Sequence, residues 1–277
     1  MAQKMKNDNY KPSVSVVIPN FNQGKYLEEA LRSVIQQKNL DIRIAVMDAG
    51  SSDNSLEIIK MYEPNIYYWR SHADKGQAAA INEGILKLPT SDYVCWLNSD
   101  DSFEEQGLEK MVAYLENNLA LSAVYAKAYI TDSKSNKIGE YPTTEFSIKK
   151  LTEYCFICQP ATLIRYSTWN KLGGVNESFH MCMDYDLWWR IAKDNHFGYL
   201  DYFSACSRDH EETKTRTNKK KHYIEAFIIL NKNIGYVPWS WCVSMMKEIR
   251  YKEADFYKNK ILSRVFAVPI FVKNFFG

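Results

Sequence analysis

The sequence predicts an α/β protein built on a mostly parallel, doubly wound sheet flanked by helices. Short β-branched apolar runs alternate four times with amphipathic stretches before residue 120, the rhythm of parallel strands joined by crossover helices. Three of those runs end in polar, turn-forming residues. No linker rich in Pro, Gly or Ser and no internal repeat breaks the pattern, so a single domain is expected to run to about residue 235.

The elements follow in order. "VSVVIP" (14–19) is an uninterrupted apolar run, the pattern of a strand covered on both faces. "KYLEEALRSVIQQ" places Leu27, Ala30, Leu31, Val34 and Ile35 on one helical stripe and turns Glu28, Glu29 and Arg32 outward. A second strand, "IRIAVMD", ends at Asp48, and a helix over 55–62 follows. Strand "IYYW" (66–69), helix "GQAAAINEGILKL" (76–88), strand "YVCWLN" (93–98) and a helix over 105–117 complete the alternation. From Leu121 the rhythm changes. "LSAVYAKAYITD", "KIGEY" and "QPATLIR" (159–165) read as antiparallel strands, "DYDLWWRIAKD" (184–194) as a helix and "FGYLDYFSACS" as a last strand.

A 46% hydrophobic content is enough for a substantial core in 277 residues. The formal charge of +2 conceals an asymmetry, with 22 Lys and Arg against 29 Asp and Glu before residue 214, and 13 against 4 from Lys214 onward. The N-terminus "MAQKMKNDNYKP" has no apolar signal-peptide core, which leads to an expectation of a cytoplasmic chain. In that reducing compartment, Cys95, Cys155, Cys158, Cys182, Cys206 and Cys242 read as small core residues. "CFIC" (155–158) has C-x-x-C spacing but no second pair at zinc-site distance, which disfavours a metal or redox role. The tail ends "ILSRVFAVPIFVKNFFG", 17 residues broken by Arg264, Pro269 and Lys273. That is too short and too charged to span a bilayer, which takes about 20 apolar residues. Its basic, aromatic character suits either peripheral contact with anionic headgroups or packing on the domain.

In a parallel sheet the strand ends "PNFNQG", "DAGSSDNS" and "NSDD" lie on one edge and converge on one cleft. Asp48 is placed to accept an N–H of a nucleobase, while Ser52 or Asp53 suits a helix cap. "DKGQ" (74–77) sets Lys75 and Gly76 before a helix N-terminus, which favours phosphate oxygens. Neither a P-loop nor a G-x-G-x-x-G fingerprint occurs. "NSDD" suits a hard divalent cation that shares its shell with phosphate and water. The competing reading makes Asp101 or Ser102 the N-cap of the following helix and explains Asp100 less well.

Together, "VSVVIPNFNQGKYLEEALRSVIQQ", "VMDAGSSDNS", "DKGQAAAINEG", "WLNSDD", "QPATLIR", "GGVNESF" and "MDYDLWWRIA" resemble an inverting glycosyltransferase of family two with the Rossmann-like GT-A fold, over residues 13–215. The resemblance implies a nucleotide-sugar half (13–117), a mixed acceptor half (118–235) and a helical C-terminal tail (236–277). It also implies donor contacts from Pro19, Asn22, Asp48, Lys75, Gly76, Asn98, Ser99 and Lys214. Asp100 and His210 are the implied metal ligands for Mn²⁺ or Mg²⁺. Asp184 is the implied catalytic base, with Asp186 the weaker choice and N-capping its structural rival. Asn98 stands where the family usually has the first acid of D-x-D, and Met183 where it has an acid before Asp184.

The chemistry is coherent without the family name, since expelling a nucleoside diphosphate needs a cation at the leaving phosphate and a base at the attacking hydroxyl. The implied function is sugar transfer, with a UDP-sugar as the first choice of donor, to a saccharide or lipid-linked acceptor in surface polysaccharide biosynthesis. The expected location is the cytoplasm, with a peripheral position on the inner membrane face. The alternative is a nucleotide-sugar-binding module that has lost turnover. A nucleotidyltransferase is disfavoured by "PNFNQGKY", and nucleic-acid binding through "KTRTNKKKH" by the shortness of that charge run. Trp188 and Trp189 are assigned to core and acceptor-groove wall, His196 and His222 to surface or packing.

Overall fold

The computed structural model describes residues 10–193 and 197–250. The first half alternates as β1 (Ser13–Asn20), α1 (Gly24–Ile35), β2 (Asp41–Asp48), α2 (Ser55–Tyr62), β3 (Tyr68–Ser71), α3 (Gln77–Lys87) and β4 (Tyr93–Trp96). A two-residue β5 (Ser102–Phe103) precedes α4 (Gly107–Asn117). The second half comprises β6 (Ala123–Thr131), β7 (Lys137–Glu140), α5 (Ile148–Glu153), β8 (Thr162–Arg165), α6 (Tyr166–Leu172), α7 (Met183–Ala192) and β9 (Phe197–Arg208). Three helices close the described chain, α8 (Lys214–Thr217), α9 (Lys219–Ile234) and α10 (Trp239–Arg250).

All the strands join one sheet in the order β3-β2-β1-β4-β8-β6-β9-β5, with β7 beside β6. The strands β3, β2, β1 and β4 are mutually parallel, as the alternation demands. The second half is mixed: β8 is antiparallel to β4 and β6, and β7 is antiparallel to β6. β9 instead runs parallel to β6, a pairing the sequence rhythm does not announce.

Alternation along β1 divides the core in two. Val14, Val16 and Ile18 pack with Leu27 and Leu31 of α1, Ile59 of α2 and Leu108 of α4. Val17 joins Ile81 of α3, Trp169 of α6, Trp188 of α7 and Phe227 of α9 on the opposite face. The result is a three-layer helix–sheet–helix arrangement whose strand ends share one edge.

Several expectations shift. β3 starts at Tyr68, not residue 66, because a short 3-10 turn over Glu63–Asn65, with Pro64 in its first turn, uses the chain up to Ile66. α5, α6 and the 16-residue α9 carry weak periodicity and were not anticipated. Trp189 is 4% exposed and Trp188 fully buried, so both are core residues and neither is a groove wall. All six cysteines are free. The tail reading is met by α10 as far as Arg250; residues 251–277 and His196 lie outside the described residues. Among the described residues no helix is long and apolar enough to cross a membrane.

Gly107 lets α4 approach β9: a Cβ there would stand 2.1 Å from the Ser204 carbonyl oxygen. Backbone cannot rotate away as a side chain can, so Gly107→Ala is expected to cost about 3 kcal/mol of stability. Urea unfolding that matches wild type would refute this close-packing account.

Candidate active site

The strand ends and the second half enclose a cleft of about 800 Å³, within the range of small-molecule sites. Pro19 and Phe21 enter it from the end of β1, Gly76 and Gln77 from the start of α3, and Asn98, Ser99 and Asp100 from the turn after β4. The second half contributes Tyr141, Pro160, Met183 and Asp184 to the lining, and the segment after β9 adds Lys214.

Three expected donor residues stand back from this lining. Asp48 is fully buried, and its carboxylate accepts from Asn20 Nδ2 (2.7 Å), the Gly50 and Ser51 N–H groups (3.1 and 3.0 Å) and the Ser51 and Ser71 hydroxyls. Burial acts to raise its pKa, but these donors outweigh it and hold the group below the usual carboxylate range. As placed, Asp48 braces the ends of β1, β2 and β3, and a nucleobase N–H would have to displace one of its partners. Asn22 is exposed and accepts from the Ser52 N–H at 2.8 Å, joining the first two strand-end loops. Lys75 is exposed beside Gly76, which sits at φ +109 in a conformation that suits glycine. Phe21, missed in sequence, is 59% exposed at the cleft and offers a flat face to an aromatic base. Its signal was an aromatic directly after the strand-end "PN".

The acid turn is braced from the far end of the chain. Asp101 is 5% exposed and accepts from the Arg208 backbone N–H (2.9 Å) and from Asn98 Nδ2 (3.0 Å). Burial, reinforced by the adjacent Asp100 charge, raises its pKa. Asp101 is therefore a buried strut, not a helix cap, and Ser102 lies in β5, since α4 begins only at Gly107. Arg208, also missed in sequence, donates from Nε to the Asp100 carbonyl at 2.7 Å and packs over the Tyr26 ring.

Asn98 has a positive reason to be an amide. Its Nδ2 donates to both Asp101 and Gln159 Oε1 (3.2 Å), and its Oδ1 accepts from Gln77 Nε2 (2.6 Å). Lys214 Nζ in turn donates to Gln77 Oε1 at 2.8 Å. A carboxylate at position 98 would set a second negative charge against Asp101 and an acceptor against Gln159.

Asp100 and His210 do come together, with His210 Nε2 3.1 Å from Asp100 Oδ2. His210 is 6% exposed against Tyr26, and its Nδ1 is buried without a partner. Among the described residues no group of three His, Cys, Asp or Glu side chains forms a metal cage. Two protein donors fit an Mg²⁺ or Mn²⁺ ion that completes its shell with substrate phosphate and water, but not a tightly held resident ion.

Asp184, also in the lining, lies in the first turn of α7 and accepts the Tyr185 N–H at 2.8 Å. The N-cap position is Cys182, so Asp184 is not the cap. Burial pushes its carboxyl up to about 6, with the nearby Lys214 ammonium opposing. Asp186, the weaker candidate, is 1% exposed and bound by Arg190 Nε at 2.7 Å, away from the cleft lining. His222 packs between Tyr223 and Trp241.

A helix-flanked mixed sheet with a parallel 3-2-1-4 half, and a cleft facing an acid turn with a second carboxylate, defines the GT-A class of glycosyltransferase. A family model described as "Glycosyl transferase family 2" matches residues 15–173, more than half of the chain, and the protein belongs to that family. Chondroitin synthase of Escherichia coli is 29% identical over 193 residues, covering 69% of this chain and 28% of the relative. Hyaluronan synthase of Pasteurella multocida is 25% identical over 232 residues, covering 82% and 24%. The chain thus spans about a quarter of the length of these curated relatives. Among solved structures, S. aureus TarS 1-349 in complex with UDP superposes with a TM-score of 0.62 at 14% identity, covering 91% of this chain and 77% of that one. The mannosyltransferase PcManGT from Pyrobaculum calidifontis, in complex with GDP-Man and Mn²⁺, gives 0.59 at 14% identity, covering 96% and 81%.

Proposed function

We propose that the protein moves a sugar from a nucleotide-sugar donor, a UDP-sugar by preference, to a hydroxyl of a saccharide or lipid-linked saccharide, with inversion at the anomeric carbon. The observation that carries this reading is that Asp100 and Asp184 line the same cleft, the second with its carboxyl raised to about 6. A base tuned near neutrality takes a hydroxyl proton more effectively than an ordinary carboxylate.

In this reading Phe21 and Pro19 receive the base, Gly76, Ser99 and Lys214 border the diphosphate, and Asp100 with His210 holds Mn²⁺ or Mg²⁺. When bound between Asp100 and the donor, such a cation would supply positive charge for the departing diphosphate. Asp184 takes the proton from the acceptor hydroxyl while its oxygen forms the new bond to the anomeric carbon. The bond from that carbon to the phosphate oxygen breaks, and the nucleoside diphosphate leaves with its electron pair. A single displacement inverts the centre. Retention of both carboxylates favours turnover over a binding-only module. Similarity to chondroitin and hyaluronan synthases supports a role in polysaccharide assembly. The aromatic, cationic C-terminal stretch supports peripheral contact with the inner membrane face.

A thermal-shift screen of UDP-, GDP- and dTDP-sugars, with and without Mn²⁺, tests the donor assignment. At roughly 100 times Kd the preferred donor is expected to raise Tm by about 5–10 °C. Absence of a shift with every nucleotide would remove the donor site from this cleft.

A further inference from the structure

α9 delivers one buried acid to the wall that carries Asp184. Glu225 is 5% exposed, and its Oε2 accepts from the N–H groups of His180 (3.0 Å), Met181 (2.7 Å) and Cys182 (3.1 Å), with Oε1 also 3.1 Å from the His180 nitrogen. Three successive amides aimed at one carboxylate form an anion nest. They are also the amides that lead directly into α7, whose N-cap residue, Cys182, supplies no side-chain cap. Unmet donors at a helix start need a partner, and here it comes from a helix some 40 residues later in the chain.

We propose that Glu225 is a positioning residue for Asp184: by gripping residues 180–182 it fixes where the first turn of α7 presents the catalytic carboxylate to the cleft. The inference rests on Asp184 being the base. His180, Met181, Met183 and Asp184 all line the cleft, so a shift of this grip moves the whole acceptor-side wall. Glu225 also acts through its charge. Among the described residues, the groups whose fields reach Asp184 include Lys214, Glu225, Cys155, Cys158, Cys182 and the Tyr141 phenol. Burial raises the three thiols and the phenol, so they are neutral near pH 6. Lys214 and Glu225 then supply the opposing fields, and the carboxylate keeps Asp184 easier to protonate.

The test compares Glu225→Ala, Glu225→Gln and Asp184→Asn in the full chain, with kcat, donor KM and pH–rate profiles. Glu225→Ala, which opens the grip, is expected to lower kcat roughly 10- to 100-fold with donor KM nearly unchanged. Glu225→Gln, which keeps one acceptor oxygen in the nest and removes the charge, is expected to restore most of kcat. It should also move the acid limb of the profile down by at least about 0.3 pH units. Wild-type kcat in a folded Glu225→Ala overturns the proposal. Equal losses in both variants with an unmoved acid limb also overturn it, since that pattern marks a purely structural contact. Should Glu225→Ala fail to fold, the acid limb of Glu225→Gln decides alone. Wild-type activity in Asp184→Asn would instead sink the assignment of the base itself.

Discussion

Asp184→Asn is expected to abolish sugar transfer, lowering kcat by at least about 1,000-fold, while nucleotide affinity stays within about twofold of wild type. The substitution keeps the shape of the side chain and the contact with the Tyr185 N–H, but replaces a carboxylate able to take a proton with an amide that cannot. If Asp184 is the base it works deprotonated, and burial pushes its carboxyl up to about 6, so the wild-type rate should fall as pH drops through that value. It should lose about tenfold per unit below it and level off above. Nucleoside diphosphate release gives kcat, and calorimetric titration with the nucleotide gives the binding arm. Transfer that survives in Asp184→Asn would exclude the residue from the chemistry.

The second large effect is expected at Asp100. Asp100→Ala should remove the Mn²⁺-dependent part of nucleotide binding, so that donor affinity with saturating Mn²⁺ falls at least about 100-fold and approaches the metal-free value. The reason is the small donor set in the proposed assignment: if Asp100 and His210 are the protein ligands, loss of the carboxylate leaves one imidazole, too little to hold an ion that prefers charged oxygen. Asp101 cannot substitute, because both its oxygens are engaged by Arg208 and Asn98. Isothermal titration of the nucleotide with and without Mn²⁺ distinguishes this from simple unfolding. Equal metal enhancement in variant and wild type would place the cation elsewhere.

Much of the donor half was legible in sequence because its signals are local. β1, β2 and β4 are short, largely apolar runs, and their register leaves Pro19, Asp48 and Asn98 where a strand-end reading puts them. What escaped depends on contacts between distant segments. Asp48 reads as a strand-tip acceptor for a nucleobase, and the sequence does not show that the Ser71 hydroxyl and Asn20 amide also reach it from neighbouring strands. Asn98 reads as a lost acid until Asp101 and Gln159 close around it. Glu225 gives no motif at all: it sits in a helix whose lysine-rich start, "KKKH", masks its apolar stripe. Arg208, just upstream of His210 in "SRDH", draws less notice than the histidine, yet its contacts with Glu29, Ser135 and both acids of the turn tie four segments together.

The pairing of β5 with β9, together with the Arg208 contacts, changes what counts as a separable piece of this molecule. Asp101 and its backbone donor are 107 positions apart, so the acid turn takes shape only when a very long loop closes. A fragment that stops after α4 contains each strand-end motif of the donor half but leaves Asp101 and the Asp100 carbonyl without their Arg208 donors. The natural seam for exchanging segments between relatives is therefore not the midpoint of the chain. Residues 197–208 bridge the two halves, pairing with β6 along the strand and with β5 near its end, and a chimera that grafts a foreign second half would have to preserve both pairings.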